Sequence, residues 1–294
     1  MAKTSTLGLF ARRKRSGDKI VIVTAYDLTS ALIADQGGVD AILVGDSLGM
    51  VVLGHATTLP VTVEDMIHHC KAVMRAQPSV PVIVDMPYGS FHVSPEETVR
   101  HALRLVKEGG ASAVKIEGGR RREDAIRALL AAEIPVMGHL GLTPQSINQL
   151  GGYKVQGKGK GAAERLIDEA VFLEEIGCFS MVLECVPAPL AEAVSKQLTI
   201  PTIGIGAGPG CDGQVLVFHD LLGLFDGVRP RFVKRYAELG QDAANAIGRF
   251  ADDVRTGVFP AEEHCFFDEA KPEATTTETA AKGYLANLES GGEE

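Results

Sequence analysis

Short apolar runs rich in Val and Ile recur along the chain, each ending in polar residues or glycine before a longer stretch of helical periodicity. Such a run reads as a strand buried on both faces and the stretch after it as an amphipathic helix, so the repeat predicts successive βα units. Eight runs fit the pattern: residues 19–26, 41–47, 81–86, 113–117, 134–139, 180–185, 202–206 and 215–218. Eight units favour closure of a parallel sheet into a (β/α)8 TIM barrel over an open, doubly wound α/β sheet. Capping chemistry marks helix starts: Ser94-Pro95-Glu96-Glu97 offers a hydroxyl cap, a first-turn proline and an acid three residues on, and Thr143-Pro144 repeats the first two.

The 294 residues suit one such domain. A barrel over residues 1–270, with a short N-terminal helix, is expected, and a polar tail over 271–294, rich in Thr, Ala and Glu, is expected to be partly disordered. Two segments stand outside the repeat. The Gly- and Lys-rich stretch 151–161 suits either a mobile active-site lid or a flexible surface loop. The stretch 204–213 contains G-x-G-x-x-G spacing, but another strand follows where a dinucleotide site needs a helix, so its glycines read as a tight turn or as room for a ligand near the backbone.

Composition narrows the partners. With 45% hydrophobic and 23% charged residues a full core can be buried. The net charge of −9 argues against a grip on nucleic acid or an anionic membrane, leaving small molecules. The basic cluster Arg12, Arg13, Lys14, Arg15 reads as a solvated helix end. Five cysteines without a C-x-x-C pair suit a reducing cytoplasm, and no secretory segment opens the chain.

Catalytic groups of such barrels lie at the carboxyl ends of the strands. Here five consecutive runs end in ionisable residues: Asp46, Asp85, Glu117, His139 and Glu184. Lys115 and Glu117, two apart on a strand, face the same side. Four carboxylates buried together would be relieved by protonation or by a cation. An oxygen-rich set without cysteine points to Mg²⁺. Lys115 suits either a structural ion pair or a substrate carboxylate or enolate; His139 suits either a satisfied rim position or proton handling.

The motifs carrying these residues are Thr24-Ala25-Tyr26-Asp27, Val44-Gly45-Asp46-Ser47-Leu48-Gly49-Met50, Asp85-Met86-Pro87-Tyr88-Gly89-Ser90, Val114-Lys115-Ile116-Glu117-Gly118-Gly119, Gly138-His139-Leu140-Gly141-Leu142-Thr143-Pro144-Gln145 and Gly204-Ile205-Gly206-Ala207-Gly208. In these, over about residues 3–260, the chain closely resembles the ketopantoate hydroxymethyltransferase family. The resemblance implies Mg²⁺ bound by Asp46 and Asp85 with Glu117 at the metal shell. It implies 2-oxo acid contacts from Asp46, Ser47, Asp85 and Lys115, Glu184 as base, and His139 near substrate and folate. It further implies hydroxymethyl transfer from 5,10-methylenetetrahydrofolate to 3-methyl-2-oxobutanoate, and a homo-oligomer, a decamer in that family. The rivals are a metal-dependent lyase of the phosphoenolpyruvate mutase and isocitrate lyase type, whose Lys-Lys-Cys-Gly-His segment is absent here, and a catalytically silent binding barrel.

Overall fold

The computed structural model describes residues 6–225, 227 and 230–267; the tail expected over 271–294 lies outside them. Helix α1 (Thr6–Ser16) leads into β1 (Ile20–Thr24), α2 (Leu28–Gln36), β2 (Ala41–Val44), the short α3 (Leu48–Val51), α4 (Val63–Met74), β3 (Val82–Asp85), α5 (Pro95–Lys107), β4 (Ala113–Glu117), α6 (Glu123–Ala131) and β5 (Val136–Gly141). Then come α7 (Ile147–Leu150), α8 (Lys160–Glu175), β6 (Ser180–Glu184), α9 (Ala188–Gln197), β7 (Thr202–Ile205), β8 (Gly213–Leu216), α10 (Phe218–Leu222) and α11 (Leu239–Thr256). All eight strands pair in parallel in chain order, and β8 returns to β1, closing the expected barrel.

Strand alternation divides the core in two. Ile20, Ile22, Leu43, Ile83, Ala113, Met137, Val182, Ile203 and Val215 fill the barrel interior. Their neighbours, such as Ile42, Val84, Val114, Ile116 and Leu183, pack outward under the helices. Most strands are shorter than the expected runs, β2 for example ending at Val44 so that Asp46 and Ser47 follow it, and two strands are shifted along the chain. β5 continues past His139 to Gly141, because its register with β6 runs on to pair Gly141 with Glu184. β8 begins at Gly213 and stops at Leu216, since Phe218 already opens α10.

Ser94 caps α5 as expected, its hydroxyl accepting from Glu97 N at 3.2 Å. Thr143-Pro144 instead opens a single 3-10 turn, Pro144–Ser146, without a side-chain cap, and α7 follows. Two capping boxes, Asp27 with Ser30 and Thr62 with Asp65, start α2 and α4.

Helix α1 closes the amino-terminal end of the barrel. Phe10, fully buried, meets Phe179 edge-on at 5.2 Å and joins the interior cluster. The basic cluster is only half solvated: Arg12 and Arg15 are exposed, but Arg13 pairs with Asp40, and Lys14 Nζ donates to Asp212 Oδ2 and to Ser195 O, both at 2.7 Å. Asp212 also accepts from Thr202 N at 2.9 Å, so Lys14 ties α1 to the start of β7.

The chain to Gln241 forms one compact unit and the chain from Asp242 a second. In the second, α11 continues to Thr256 with no buried residue, and Phe250 meets Phe259 at 5.4 Å. Among the described residues no helix is long and apolar enough to cross a membrane.

Candidate active site

The polar ends of β2 to β6 converge at the carboxyl mouth of the barrel. In the interior rows, Ile83 is followed two residues on by Asp85, Ala113 by Lys115 and then Glu117, Met137 by His139, and Val182 by Glu184. The same alternation that fills the barrel with aliphatic groups thus delivers ionisable groups to its rim. Asp46 and Ser47 lie just past β2, where Asp46 N donates to Asp85 Oδ2 at 3.1 Å.

Lys115 Nζ stands 3.1 Å from Asp85 Oδ1 and 3.2 Å from His139 Nδ1. That ring nitrogen is 3.4 Å from Glu117 Oε1, while Nε2, on the far side of the ring, is 3.3 Å from Glu184 Oε2. Gln145 closes the floor: its backbone N–H donates to Glu117 Oε2 at 3.0 Å, and Nε2 donates to Asp46 Oδ2 at 2.8 Å and to Met86 O at 2.9 Å. Tyr26 and Ser47 share a hydroxyl hydrogen bond of 2.8 Å at one edge. Every expected site residue is therefore in one cluster.

The electrostatics follow from burial. Asp46 is held well above the usual carboxylate range, by burial first and by Asp85 and Glu117 next. Burial alone would also raise Glu117, but His139, Lys115 and the Gln145 N–H outweigh it and lower its pKa. Burial opposes the charge on Lys115, and Asp85, Glu117 and Asp46 reverse that and raise it. For His139, burial and Lys115 favour the neutral ring, while Glu117 and Glu184 prevail and raise the pKa to about 8. An ammonium 3.2 Å from Nδ1 requires that nitrogen to accept, whereas the imidazolium would donate from it to Glu117, so near neutral pH the ring stands between two hydrogen-bonding states.

A hard cation fits this donor set. Gln145 Oε1 is buried without a hydrogen-bond partner, Asp85 Oδ1 has the Lys115 ammonium beside it and room for a further cation contact on its other lone pair, and Asp46 favours a proton that a metal would displace. Among the described residues no three His, Cys, Asp or Glu side chains enclose an ion by themselves. Mg²⁺ takes one or two carboxylates and completes its shell with water and substrate oxygens. Both Glu117 oxygens are engaged, by His139 and by Gln145 N, so Glu117 fits a place one water removed from the ion.

Sequence reasoning assigned no role to Gln145, which touches both Asp46 and Glu117, because a neutral amide after a turn carries no charge signal. It also passed over two backbone devices. Cys185, directly after Glu184, has φ 49°, a strained value for a non-glycine residue, and Gly141 has φ 92° with its missing Cβ only 2.2 Å from Glu184 O. Glycine at 141 thus lets β5 approach the backbone of Glu184. The 151–161 loop reaches across the mouth: Tyr153 OH contacts Met50 Sδ at 3.7 Å and Gln156 N donates to Cys185 O at 2.9 Å. The 204–213 glycines serve close packing, since Cβ atoms at Gly208 and Gly210 would lie 2.3 and 2.5 Å from Ala188 and Glu192 of α9.

A closed parallel barrel with carboxylates, a lysine and a histidine gathered at the carboxyl ends of its strands defines a TIM-barrel enzyme. The model of the ketopantoate hydroxymethyltransferase family matches residues 4–262. The chain is 55% identical over 261 residues to the 3-methyl-2-oxobutanoate hydroxymethyltransferase of Moorella thermoacetica, covering 89% of this chain and 97% of that protein. It is 53% identical over 266 residues to the protein of the same name from Heliobacterium modesticaldum, covering 90% and 96%. The chain belongs to the ketopantoate hydroxymethyltransferase family.

Among solved structures, 2,3-dimethylmalate lyase, a member of the PEP mutase/isocitrate lyase superfamily, aligns with a TM-score of 0.56 at 18% identity over 98% of this chain and 99% of that one. Phosphonopyruvate hydrolase, solved with oxalate and Mg²⁺, aligns with a TM-score of 0.58 at 12% identity, with the same coverage. These two establish a shared barrel fold.

Proposed function

We propose that the protein transfers a hydroxymethyl group from 5,10-methylenetetrahydrofolate to 3-methyl-2-oxobutanoate, giving 2-dehydropantoate and tetrahydrofolate. The observation that carries this reading is the placement of Glu184. Asp46, Asp85 and Glu117 are buried, whereas the Glu184 side chain keeps 15% of its surface exposed and faces His139 from the side away from Lys115. It is the carboxylate of the cluster best placed to meet a substrate proton from the mouth.

Asp46 and Asp85 would hold Mg²⁺, with Glu117 at its shell through water. Bound there, the ion supplies Lewis-acid polarisation of the substrate's 2-oxo group, which acidifies the C3 proton. Asp46, Ser47, Asp85 and Lys115 orient the 2-oxo acid, and the ammonium of Lys115 also stabilises negative charge developing on its oxygen. Glu184 Oε removes the C3 proton, and His139 steadies the carboxylate through Nε2 before and after the transfer. The C3 carbanion forms a carbon–carbon bond with the one-carbon unit, and one water supplies the hydroxyl oxygen as tetrahydrofolate leaves. Tyr153, whose phenol is raised by burial and by Glu184 and Asp46, reaches over this space and limits water entry.

The net charge of −9 and the free cysteines support a cytoplasmic setting, and the family expectation of a homo-oligomer goes with the reading. One experiment tests the function. Purified protein with Mg²⁺, 3-methyl-2-oxobutanoate and methylenetetrahydrofolate should form 2-dehydropantoate, read by mass spectrometry. Deuterium exchange at C3 without any transfer would return the choice to the lyase alternative, and neither event would leave a silent binding barrel.

A further inference from the structure

A second cluster stands beside the carboxylate site at the mouth, and its charge is opposite. Gly118 follows Glu117 with φ 110°, and a Cβ on it would lie 3.2 Å from Arg121 Nε and 3.1 Å from Arg122 Cγ. Both arginine side chains therefore fold back over the residue next to Glu117. Across from them is the loop that leaves β3. The Arg122 guanidinium lies 5.2 Å from the centre of the Phe91 ring, and the rings of Phe91, His92 and Tyr88 follow one another at 4.3 and 4.8 Å. Two arginines and an aromatic wall thus share one rim of the site.

Arg121 donates to Gln149 Oε1 at 3.1 Å and Ser146 Oγ at 3.2 Å, both neutral acceptors, and Arg122 Nε is buried without a partner. Among the described residues neither guanidinium pairs with a carboxylate, and the neighbouring Arg120 is turned away, over Phe172 of α8. Their field reaches His92, whose pKa falls to about 4 under burial and then under Arg122 and Arg121, with Glu117 opposing them. Holding two guanidinium groups together, one of them half-buried, is unfavourable until an anion joins them. Their fork geometry suits planar carboxylates.

The small 2-oxo acid does not need this pair, since its charge lies deeper, with Lys115 and the metal-binding carboxylates. The second substrate does. A tetrahydrofolate carries its charge at the glutamyl end, joined through an aminobenzoyl ring to an uncharged pterin, and its reactive methylene must reach the space beside Glu184. We infer that Arg121 and Arg122, with the Tyr88–His92 wall, form the subsite for the glutamyl carboxylates of the folate co-substrate. This rests on the proposed reaction.

The test compares 5,10-methylenetetrahydrofolate with 5,10-methylenetetrahydropteroate, which lacks the glutamate, in wild-type protein and in Arg121→Gln and Arg122→Met. For a charge-assisted contact the KM for the folate should rise about tenfold or more in each variant. The KM for 3-methyl-2-oxobutanoate and the folate-independent C3 exchange should stay at wild-type values, the pteroate should be used alike by all three proteins, and Arg122→Lys should restore part of the loss. Variants that use the folate as wild type does, or that lose folate and pteroate equally, overturn the subsite while leaving the reaction intact. Wild-type protein that exchanges C3 hydrogen but transfers from neither donor overturns the reaction and the subsite with it. Should Arg122→Met not fold, the exposed Arg121 decides alone.

Discussion

Glu184→Gln tests the proposed base separately from everything else in the pocket. Glutamine preserves the volume of a side chain that is 15% exposed and close to His139 Nε2, so neither packing nor Asp46, Asp85 and Glu117 should shift. The change removes the only basic oxygens at that position, and a positioned general base contributes about 10²- to 10⁴-fold. At about 1.36 kcal/mol per decade this is about 3 to 5 kcal/mol of barrier. A second effect acts in the same direction, because Glu184 is one of the groups that raise the pKa of His139. The assay is loss of the C3–H proton signal of 3-methyl-2-oxobutanoate in D₂O with Mg²⁺ and no folate, which isolates proton removal from carbon–carbon bond formation. Exchange should fall by at least the lower bound, with Mg²⁺ affinity unchanged. His139→Gln should fall less, since it leaves the carboxylate in place. Exchange at the wild-type rate in Glu184→Gln would refute the assignment and send the search to Glu117 or to His139 itself.

Other perturbations reach other parts of the structure. Asp46→Asn and Asp85→Asn should each weaken Mg²⁺ binding by about tenfold or more in calorimetry, the loss seen when metal-site partners are removed; unchanged affinity in both would count against the ligand pair. Without metal, Asp46 holds its proton more tightly folded than unfolded, so urea-measured stability should fall as pH rises from the ordinary carboxylate value through its raised folded value. His139, raised from 6.5 to about 8, acts in the same direction over that interval, and saturating Mg²⁺ should release protons and flatten the Asp46 part; a metal-free curve flat across the range would contradict both shifts. Phe10→Ala should cost about 3 to 5 kcal/mol of unfolding free energy by circular dichroism, as for a fully buried ring, and a smaller cost than Arg12→Ala would show that α1 does not seal the barrel.

How far the sequence reveals this structure depends on which residues carry a periodic signal. A strand buried on both faces must be apolar on both, so β1 to β7 stand out from composition alone. β8 is displaced because Gly213 and Gln214 look like turn residues, yet they pair with Ile20 and Val21 of β1. Alternation likewise places Lys115 and Glu117 together before any coordinates, because two residues along a strand is a fixed geometry. Gln145, Arg121 and Arg122 lie in turns and loops after β4 and β5, where no period constrains direction, and their contacts depend on Gly118 and on a 3-10 turn. His139 stayed open between rim and pocket for a related reason: its strand runs two residues further than the apolar pattern shows, and that extension buries the ring.

The barrel's likeness to 2,3-dimethylmalate lyase and phosphonopyruvate hydrolase and its sequence identity to hydroxymethyltransferases bear on different layers of the site. The fold fixes where strand ends converge, and any chain that closes eight parallel strands acquires a mouth in which the residues at those ends meet. A mouth lined by carboxylates and a lysine suits removal of a proton next to a 2-oxo group but does not determine what the resulting carbanion meets. That choice belongs to the rim, where strand ends give way to loops. Here the rim consists of the 151–161 loop anchored at Met50 and Cys185, the aromatic row of Tyr88, Phe91 and His92, and two guanidinium groups with no carboxylate partner among the described residues. A lyase that only cleaves its substrate has no second, folate-sized donor to seat. A transferase must hold a large, charged donor against the mouth while water is kept from the carbanion, and an arginine pair beside an aromatic wall is suited to that task. The rim is therefore where the two activities should differ, and Arg121 and Arg122 are the residues whose substitution would tell them apart without touching the proton chemistry below.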